Sequence, residues 1–311
     1  MNPLVSIYLP TQNRHHLLKR AIESALRQTY PRIEIVVCSD GSTDETDQLM
    51  AGYERIHRNV IYLKNPSPLG ACATRNKAIF NCHGQYVTGL DDDDFFLPDR
   101  IQKFVDETRK YGDGIYFSGV LEFRHFGVLE HRPEIAQVDL EAILKKNYVG
   151  NQVFVPTQWL QSINGFSEDL PAWQDMDAWI RLVKAYSPAR ALFEYNYVMD
   201  KTHCEERISE NPNNITSAFS QFCEKHDEYK KIGNLGCLAS IKLNYINVES
   251  TSHDWKMVFA TQSLLKIFIL LFKRNMTKPY FFLLRIRAIL NSGCERKKTI
   301  LDYITCLTER A

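Results

Sequence analysis

Residues Leu4 to Leu9 are apolar at consecutive rather than alternating positions, the pattern of a strand covered on both faces of a parallel sheet. Leu17, Leu18, Ala21, Ile22, Ala25 and Leu26 then recur at helical spacing, and Pro31 closes that segment. Residues 33–38 predict a second buried strand. It runs into a polar turn where Ser42 and Glu45 have the spacing of a capping box for the next helix. A third strand is predicted over 60–63, a helix over 70–81 and a fourth strand over 86–90. Strands alternating with helices over about a hundred residues predict a doubly wound α/β sheet, mostly parallel and flanked by helices.

Beyond Gly112 the alternation loosens. The pattern predicts strands over 115–121, 152–155 and 192–199, and helices over 139–146 and 174–186. Pro98 suits the first turn of a further helix. From about Ser217 the chain reads as helical, with a break expected at Gly233 to Gly236. This divides the chain into an α/β part, 1–215, with halves at about 1–112 and 113–215, and a helical part, 216–311.

Composition changes this picture in two places. The net charge of +1 conceals an asymmetry: from Thr251 onward there are eleven Lys and Arg against four Asp and Glu. The first 250 residues are therefore acidic and the tail is basic. The eight cysteines are scattered with no C-x-x-C pair, which argues against a zinc site or a dithiol motif and for reduced thiols. The first residues read directly into a strand, so no signal peptide is expected, and no apolar run reaches the roughly 18 residues of a membrane span.

The densest candidate chemistry is the run Asp91, Asp92, Asp93 and Asp94, placed between the strand ending at Leu90 and the segment from Phe95 to Arg100. Clustered carboxylates at the end of a buried strand repel one another and lose hydration, which a bound cation relieves. Oxygen donors suit Mg²⁺ or Mn²⁺ beside a diphosphate. A solvated acidic loop is the other reading. Open α/β sheets bind ligands beyond the carboxyl ends of their strands, where this run falls.

Several segments, in order and spacing, are similar to those of family 2 inverting glycosyltransferases of the GT-A fold. They are residues 5–14, residues 21–30, residues 36–44 around Asp40, and Gly70 with Arg75 and Asn76. The Asp91 to Arg100 segment follows, then Gly165-Phe166 with Gln174, Asp175, Asp177 and Arg181. The likeness spans roughly residues 4–210 and favours the bacterial enzymes of O-antigen and capsule polysaccharide synthesis. It implies transfer of a hexose from a UDP-sugar to a hydroxyl of a glycan acceptor, with an undecaprenyl-diphosphate-linked acceptor as a candidate, and no nucleic-acid partner. It also implies a cytoplasmic enzyme, peripheral on the inner face of the cell membrane.

The resemblance assigns residues to roles. Pro10, Thr11, Asn13, Arg14, Asp40, Arg75, Asp91, Asp92 and Arg207 are expected around the nucleotide sugar, with Asp40 accepting the uracil N–H. Asp93 is the expected metal ligand for Mn²⁺ or Mg²⁺, with His203 as a second. The extra carboxylate leaves the register open, because Asp92 and Asp94 form a second D-x-D. Where the family reads Glu-Asp this chain reads Gln174-Asp175, so Asp175 is the expected base and Gln174 and Trp173 face the acceptor. Asp177 lies about 200° around the helix from Asp175 and is spaced to pair with Arg181 instead. Trp173 suits stacking on a sugar face or a place in the core. A sugar-phosphate nucleotidyltransferase or a non-catalytic nucleotide-sugar-binding module could share such a sheet. The first lacks its glycine-rich loop here, since residues 9–16 contain no glycine, and the second should have lost the aspartates. In the tail, residues 255–290 mix apolar clusters with Lys and Arg. That combination suits either an interfacial helix on anionic lipid or a helical layer packed on the catalytic part.

Overall fold

The structure is a computed structural model, and it describes residues 2–203, 212–245, 248–276, 280 and 294–309. The chain opens with β1 (Val5–Thr11), α1 (His15–Leu26), β2 (Ile33–Ser39), α2 (Thr46–Ile56), β3 (Val60–Lys64), α3 (Ala71–Phe80) and β4 (Tyr86–Gly89). The β1, β2, β3 and β4 pairings are parallel, in the order β3-β2-β1-β4. Side chains alternate across this sheet. Val5, Ile7, Leu9, Ile35 and Val37 face a core shared with Leu18, Ala21 and Ile22 of α1, while Tyr8, Val36 and Cys38 face a core shared with Ala78 and Ile79 of α3. Both faces are covered, which explains the unbroken apolar runs.

After the aspartate run come β5 (Phe95–Phe96), α4 (Arg100–Tyr111), β6 (Ile115–Arg124), β7 (Gly127–His131), β8 (Gln137–Val138) and α5 (Leu140–Lys145). Then follow β9 (Phe154–Pro156), α6 (Thr157–Ser162), α7 (Gln174–Ala185) and β10 (Ala189–Asp200). These strands extend the same sheet as β4-β9-β6-β10-β5, with β9 antiparallel to β4 and β6, and β10 parallel to β6. The helical part comprises α8 (Pro212–Lys225), α9 (Ile232–Leu243), α10 (Ser252–Thr261), α11 (Leu264–Asn275) and α12 (Cys294–Glu309). Phe222 of α8 and Leu238 of α9 belong to the same core as Trp179 and Ile180 of α7. Six cysteines among the described residues are free thiols.

Three local expectations are corrected. Ser42 and Glu45 do not form a capping box. Asp44 accepts from the Thr46 amide (3.2 Å) and hydroxyl (2.5 Å), while Ser42 Oγ bonds Ser39 Oγ (2.8 Å) and accepts from the Asn13 amide (3.0 Å). Pro98 precedes α4 rather than opening it. The pairing of β5 with Tyr197 and Val198 holds this stretch extended, and Asp99 takes the cap position. Gly233 and Gly236 lie inside α9 and mark no break. A Cβ on Gly236 would stand 1.9 Å from Thr261 Oγ1 and 2.8 Å from the Met257 carbonyl, so this glycine allows α9 and α10 to cross closely.

Candidate active site

The carboxyl ends of β1, β2 and β4 open onto a cleft of about 680 Å³. One wall holds Pro10, Thr11, Arg14, Asp40, Arg75, Asp91, Asp92 and Asp93, and another holds Trp173, Gln174 and Asp175. The sequence-predicted residues thus converge on one cavity, with three exceptions. Asn13 is exposed and off the cleft wall, where its side-chain oxygen accepts from the Thr43 amide (2.8 Å) and ties the first loop to the Asp40 turn. His203 does not line the cleft but places Nε2 3.3 Å from Asp93 Oδ2. Arg207 lies outside the described residues.

Asp40 is buried at the end of β2. Its Oδ1 accepts from Asn65 (3.0 Å) and the Leu69 amide (2.7 Å), and its Oδ2 from the Gly70 amide (2.9 Å). Burial alone would raise its pKa, but these hydrogen bonds prevail and hold the carboxyl below its usual range. Asp40 therefore shapes the loop that starts α3 while lining the cleft.

The four aspartates separate by environment. Arg75 Nη2 donates to Asp91 Oδ1 at 2.8 Å, and its guanidinium lies over the Phe166 ring at 5.5 Å, so Arg75 is not a surface charge. Asp92 accepts from Thr11 Oγ1 (2.7 Å) and Arg14 Nη1 (3.3 Å). Burial, and next the neighbouring Asp93 charge, push the Asp92 carboxyl up to about 7 against the pull of Arg14 and Thr11. Arg14 also approaches Asp93 Oδ2 at 3.6 Å. Asp94 is fully buried away from the cleft and accepts from Tyr197 Oη (2.8 Å) and the Asp200 amide (3.1 Å). Asp91, Asp92 and Asp93 line the cavity, while Asp94 fastens the loop to β10.

Opposite this loop, α7 begins at Gln174, preceded by Trp173 in the left-handed conformation at φ 61°. A tryptophan held there stores strain of about 1–3 kcal/mol, which surrounding contacts must offset. Trp173 packs edge-on against Phe222 of α8 (5.6 Å) and donates Nε1 to Tyr245 Oη (3.3 Å). It is therefore both a core aromatic and part of the cleft wall. The turn aims Asp175 at the cavity, and its carboxylate makes no hydrogen bond to a described residue. Burial pushes this carboxyl up to about 7, with Arg75 opposing and Asp91 adding to the rise. Asp177 faces the other way and is fully buried. It takes Arg181 (2.6 and 2.9 Å), Ser167 Oγ (2.6 Å) and His226 Nε2 (3.0 Å), as its helical spacing to Arg181 predicts.

Two distant motifs prove to be one feature. The Asn76 side chain accepts from the Phe166 amide and donates to the Phe166 carbonyl, both at 2.8 Å. Gly165 has φ +62°, and a Cβ there would lie 2.2 Å from Asn76 Oδ1. Sequence reasoning missed Gln12, Asn147, Asn151, Lys201, Ile241 and Tyr245, which also line the cleft. Gln12 lies inside the first motif segment, residues 5–14, whereas the other five lie in no recognisable motif. Ile241 comes from the end of α9 and Tyr245 from the turn after it, so the helical part supplies a piece of the wall.

A family model for "Glycosyl transferase family 2" matches residues 6–166. The chain belongs to this family. It is 32% identical over 235 residues to WcaA of Escherichia coli (strain K12), a glycosyl transferase assigned to colanic acid biosynthesis, covering 73% of this chain and 82% of that protein. It is 30% identical over 207 residues to TuaG of Bacillus subtilis (strain 168), assigned to teichuronic acid biosynthesis, covering 63% and 80%. Among solved structures, S. aureus TarS 1-349 in complex with UDP-GlcNAc superposes with TM-score 0.59 at 18% identity, covering 82% of this chain and 70% of that one. The mannosyltransferase PcManGT of Pyrobaculum calidifontis, in complex with GDP-Man and Mn²⁺, also gives 0.59 at 16% identity, covering 100% and 89%. The protein is a glycosyltransferase with the GT-A fold, and the resemblance read from its motifs is borne out. The nucleotidyltransferase and non-catalytic readings are set aside.

Whether a divalent cation fits can be asked of the donor set. Among the described residues no group of three or more His, Cys, Asp or Glu side chains could hold a metal ion by itself. Asp93, which lines the cleft, and His203, just behind it, do bring one carboxylate oxygen and one imidazole nitrogen within 3.3 Å of each other. Mg²⁺ and Mn²⁺ commonly take one or two protein ligands and complete their shell with substrate phosphates and water. The residues fit a site shared with a bound diphosphate and not a closed protein cage.

Proposed function

We propose that this glycosyltransferase moves a hexose from a UDP-sugar to a hydroxyl of a glycan acceptor, with inversion, in bacterial surface polysaccharide synthesis. The acceptor is lipid-linked and the enzyme works at the cytoplasmic side. The observation that carries the reading is Asp175: a carboxylate with no hydrogen-bonded partner among the described residues and a pKa pushed up to about 7 by burial, facing the aspartate loop across one cleft. A general base poised near the working pH is what deprotonation of an attacking hydroxyl requires.

The nucleotide end of the cleft is formed by Pro10, Thr11 and Asp40, with Asp40 Oδ2 accepting the imide N–H of uracil. Asp93 and His203 would hold Mn²⁺ or Mg²⁺, which neutralises the charge building on the departing diphosphate. Arg14 and Lys201 add positive charge at the same end. Asp91, held by Arg75, orients the donor sugar side. Asp175 takes the acceptor proton as the hydroxyl oxygen attacks the anomeric carbon from the face opposite the leaving UDP. Trp173 and Gln174 position the acceptor.

The test is a screen of UDP-hexoses against short lipid-diphosphate acceptors. EDTA should abolish transfer and Mn²⁺ or Mg²⁺ restore it. Asp93→Ala should mimic chelation, with Asp92→Ala milder. Tolerance at Asp93 with full loss at Asp92 would overturn the metal register, and turnover of GDP-sugars alone would overturn the donor.

A further inference from the structure

We propose that α11 is a membrane-docking helix that lays its outer face on an anionic phospholipid surface. The role it gives to docking rests on the lipid-linked acceptor proposed above.

Helix α11 is apolar on two sides. Ile267 and Leu270 are buried against α9 and α10. On the outer side Leu264 is 85% exposed, Leu265 70% and Phe268 64%, with Ile269 and Leu271 beside them. These positions recur at i, i+1, i+4, i+5 and i+7, one continuous stripe. Large side chains grouped on one helix mark an interaction surface, whereas scattered ones do not.

Charge decides the occupant. Between residues 252 and 275 the sequence carries Lys256, Lys266, Lys273 and Arg274 against the single acid Asp254. Asp254 is buried and bonded to Lys242 Nζ (2.9 Å) and the Thr251 amide (2.8 Å). The exposed surface of α10 and α11 therefore carries no carboxylate. Apolar side chains flanked by exposed Lys256 and half-buried Lys266, with no acid, complement acyl chains beneath a layer of phosphates. The helix does not cross: no helix among the described residues is long and apolar enough to span a bilayer.

The structure corrects two elements of the sequence-based expectation. Arg274 does not face lipid, because it donates to the carbonyls of Leu243 (3.3 Å), Tyr245 (3.0 Å) and Val248 (2.7 Å). Lys273 Nζ is likewise turned to the protein and donates to the Asn244 carbonyl (2.6 Å), which leaves Lys256 and Lys266 as the flanking cations. Arg274 and Lys273 thereby fix α11 to the end of α9 and the turn after it, where Tyr245 lines the catalytic cleft. A surface that seats α11 is thus held in register with the acceptor wall.

The experiment is flotation of the full chain with phosphatidylglycerol–phosphatidylethanolamine vesicles and with pure phosphatidylcholine vesicles. The chain should float with the anionic vesicles at low salt and release at high salt. Leu264→Glu combined with Phe268→Glu should abolish flotation. Lys256→Glu should weaken partitioning by about fivefold or more. Thermal melts confirm that each variant is folded, and if the double variant is not, Leu264→Glu alone decides. Absence of flotation at low salt, or flotation that the double variant leaves intact, overturns the proposal. So does a wild-type dimer in light scattering that the double variant disperses, since a second copy then covers the stripe. Hydrolysis of UDP-sugar, measured on the same samples, keeps a failure of docking distinct from a failure of the proposed chemistry.

Discussion

At the scale of single residues, the two aspartates of α7 have opposite tasks set by their surroundings. Asp175 is raised to about 7 chiefly by burial, so its charge is costly in the folded state. Asp175→Asn should lower transfer by on the order of 10²–10⁴-fold with donor binding nearly unchanged. Wild-type kcat/KM should climb with pH and level off above about 7, and the variant should lose that limb. The sign of the stability effect follows from linkage. Between an unfolded pKa of about 4 and the folded value, the native state holds the extra proton, so stability falls as pH rises through that window. Asp175→Asn should therefore be more stable than wild type at pH 8, by about 1–2 kcal/mol once solvent screening in the open cleft is discounted, with the gain vanishing near pH 4. Asp177 is the reverse case. Burial opposes its charge, but His226, Arg181 and Ser167 prevail and depress its pKa. Asp177→Ala removes the buried acceptor shared by Arg181, Ser167 and His226 and should cost about 3–5 kcal/mol in chemical denaturation, whereas loss of turnover without loss of stability would refute a structural role.

At the scale of elements, the cleft depends on turns fastened by side chains from elsewhere. Asn76 of α3 grips the turn at Gly165 and Phe166, and Arg181 of α7 donates to the Gly165 carbonyl at 2.7 Å. Asn76→Ala should loosen this turn, costing about 1–3 kcal/mol for the unsatisfied groups, and should reduce activity through the Phe166 ring that supports Arg75. Asn76→Asp keeps only the acceptor and should not recover the donor half of the clamp. The α9–α10 crossing offers a cleaner measurement. Gly236→Ala forces a Cβ against the Met257 carbonyl and should destabilise by about 1–3 kcal/mol. A neutral effect on Tm would mean that the two helices separate easily.

At the scale of the whole molecule, the helical part is structurally continuous with the catalytic part. Phe222, Tyr229 and Leu238 share the core around Trp179, and Tyr245 bonds Trp173 beside Asp175. A chain truncated at residue 211 uncovers that core and removes one wall of the cleft. It should be recovered only as aggregate, and a soluble, active fragment would show that the sheet and its helices are self-sufficient. The contact network puts the cleft wall at Trp173 under the influence of α8 and of the turn after α9.

The sequence by itself determined the alternating elements, because burial on both faces of a sheet writes unbroken apolar runs. It also placed Asp40, Arg75, the aspartate loop and Asp175 in one cleft, because ligand sites at strand ends leave short polar motifs at fixed spacing. Helix 71–80 was legible almost to the residue, since Gly70 and Asn81 are readable boundaries. What only the tertiary structure decided depends on contacts between distant segments. Asp94 is a tether and not a cleft residue because Tyr197 arrives from β10, more than a hundred positions later. Gly236 is a crossing point and not a break because Thr261 and Met257 face it. β6 was legible as a strand, whereas the five-residue β7 and the six-residue α6 carry too few residues to show a period. Tyr245 and Ile241 joined the cleft without any motif, since a wall of packed aromatic and aliphatic groups needs only the right position in space, which local spacing does not encode.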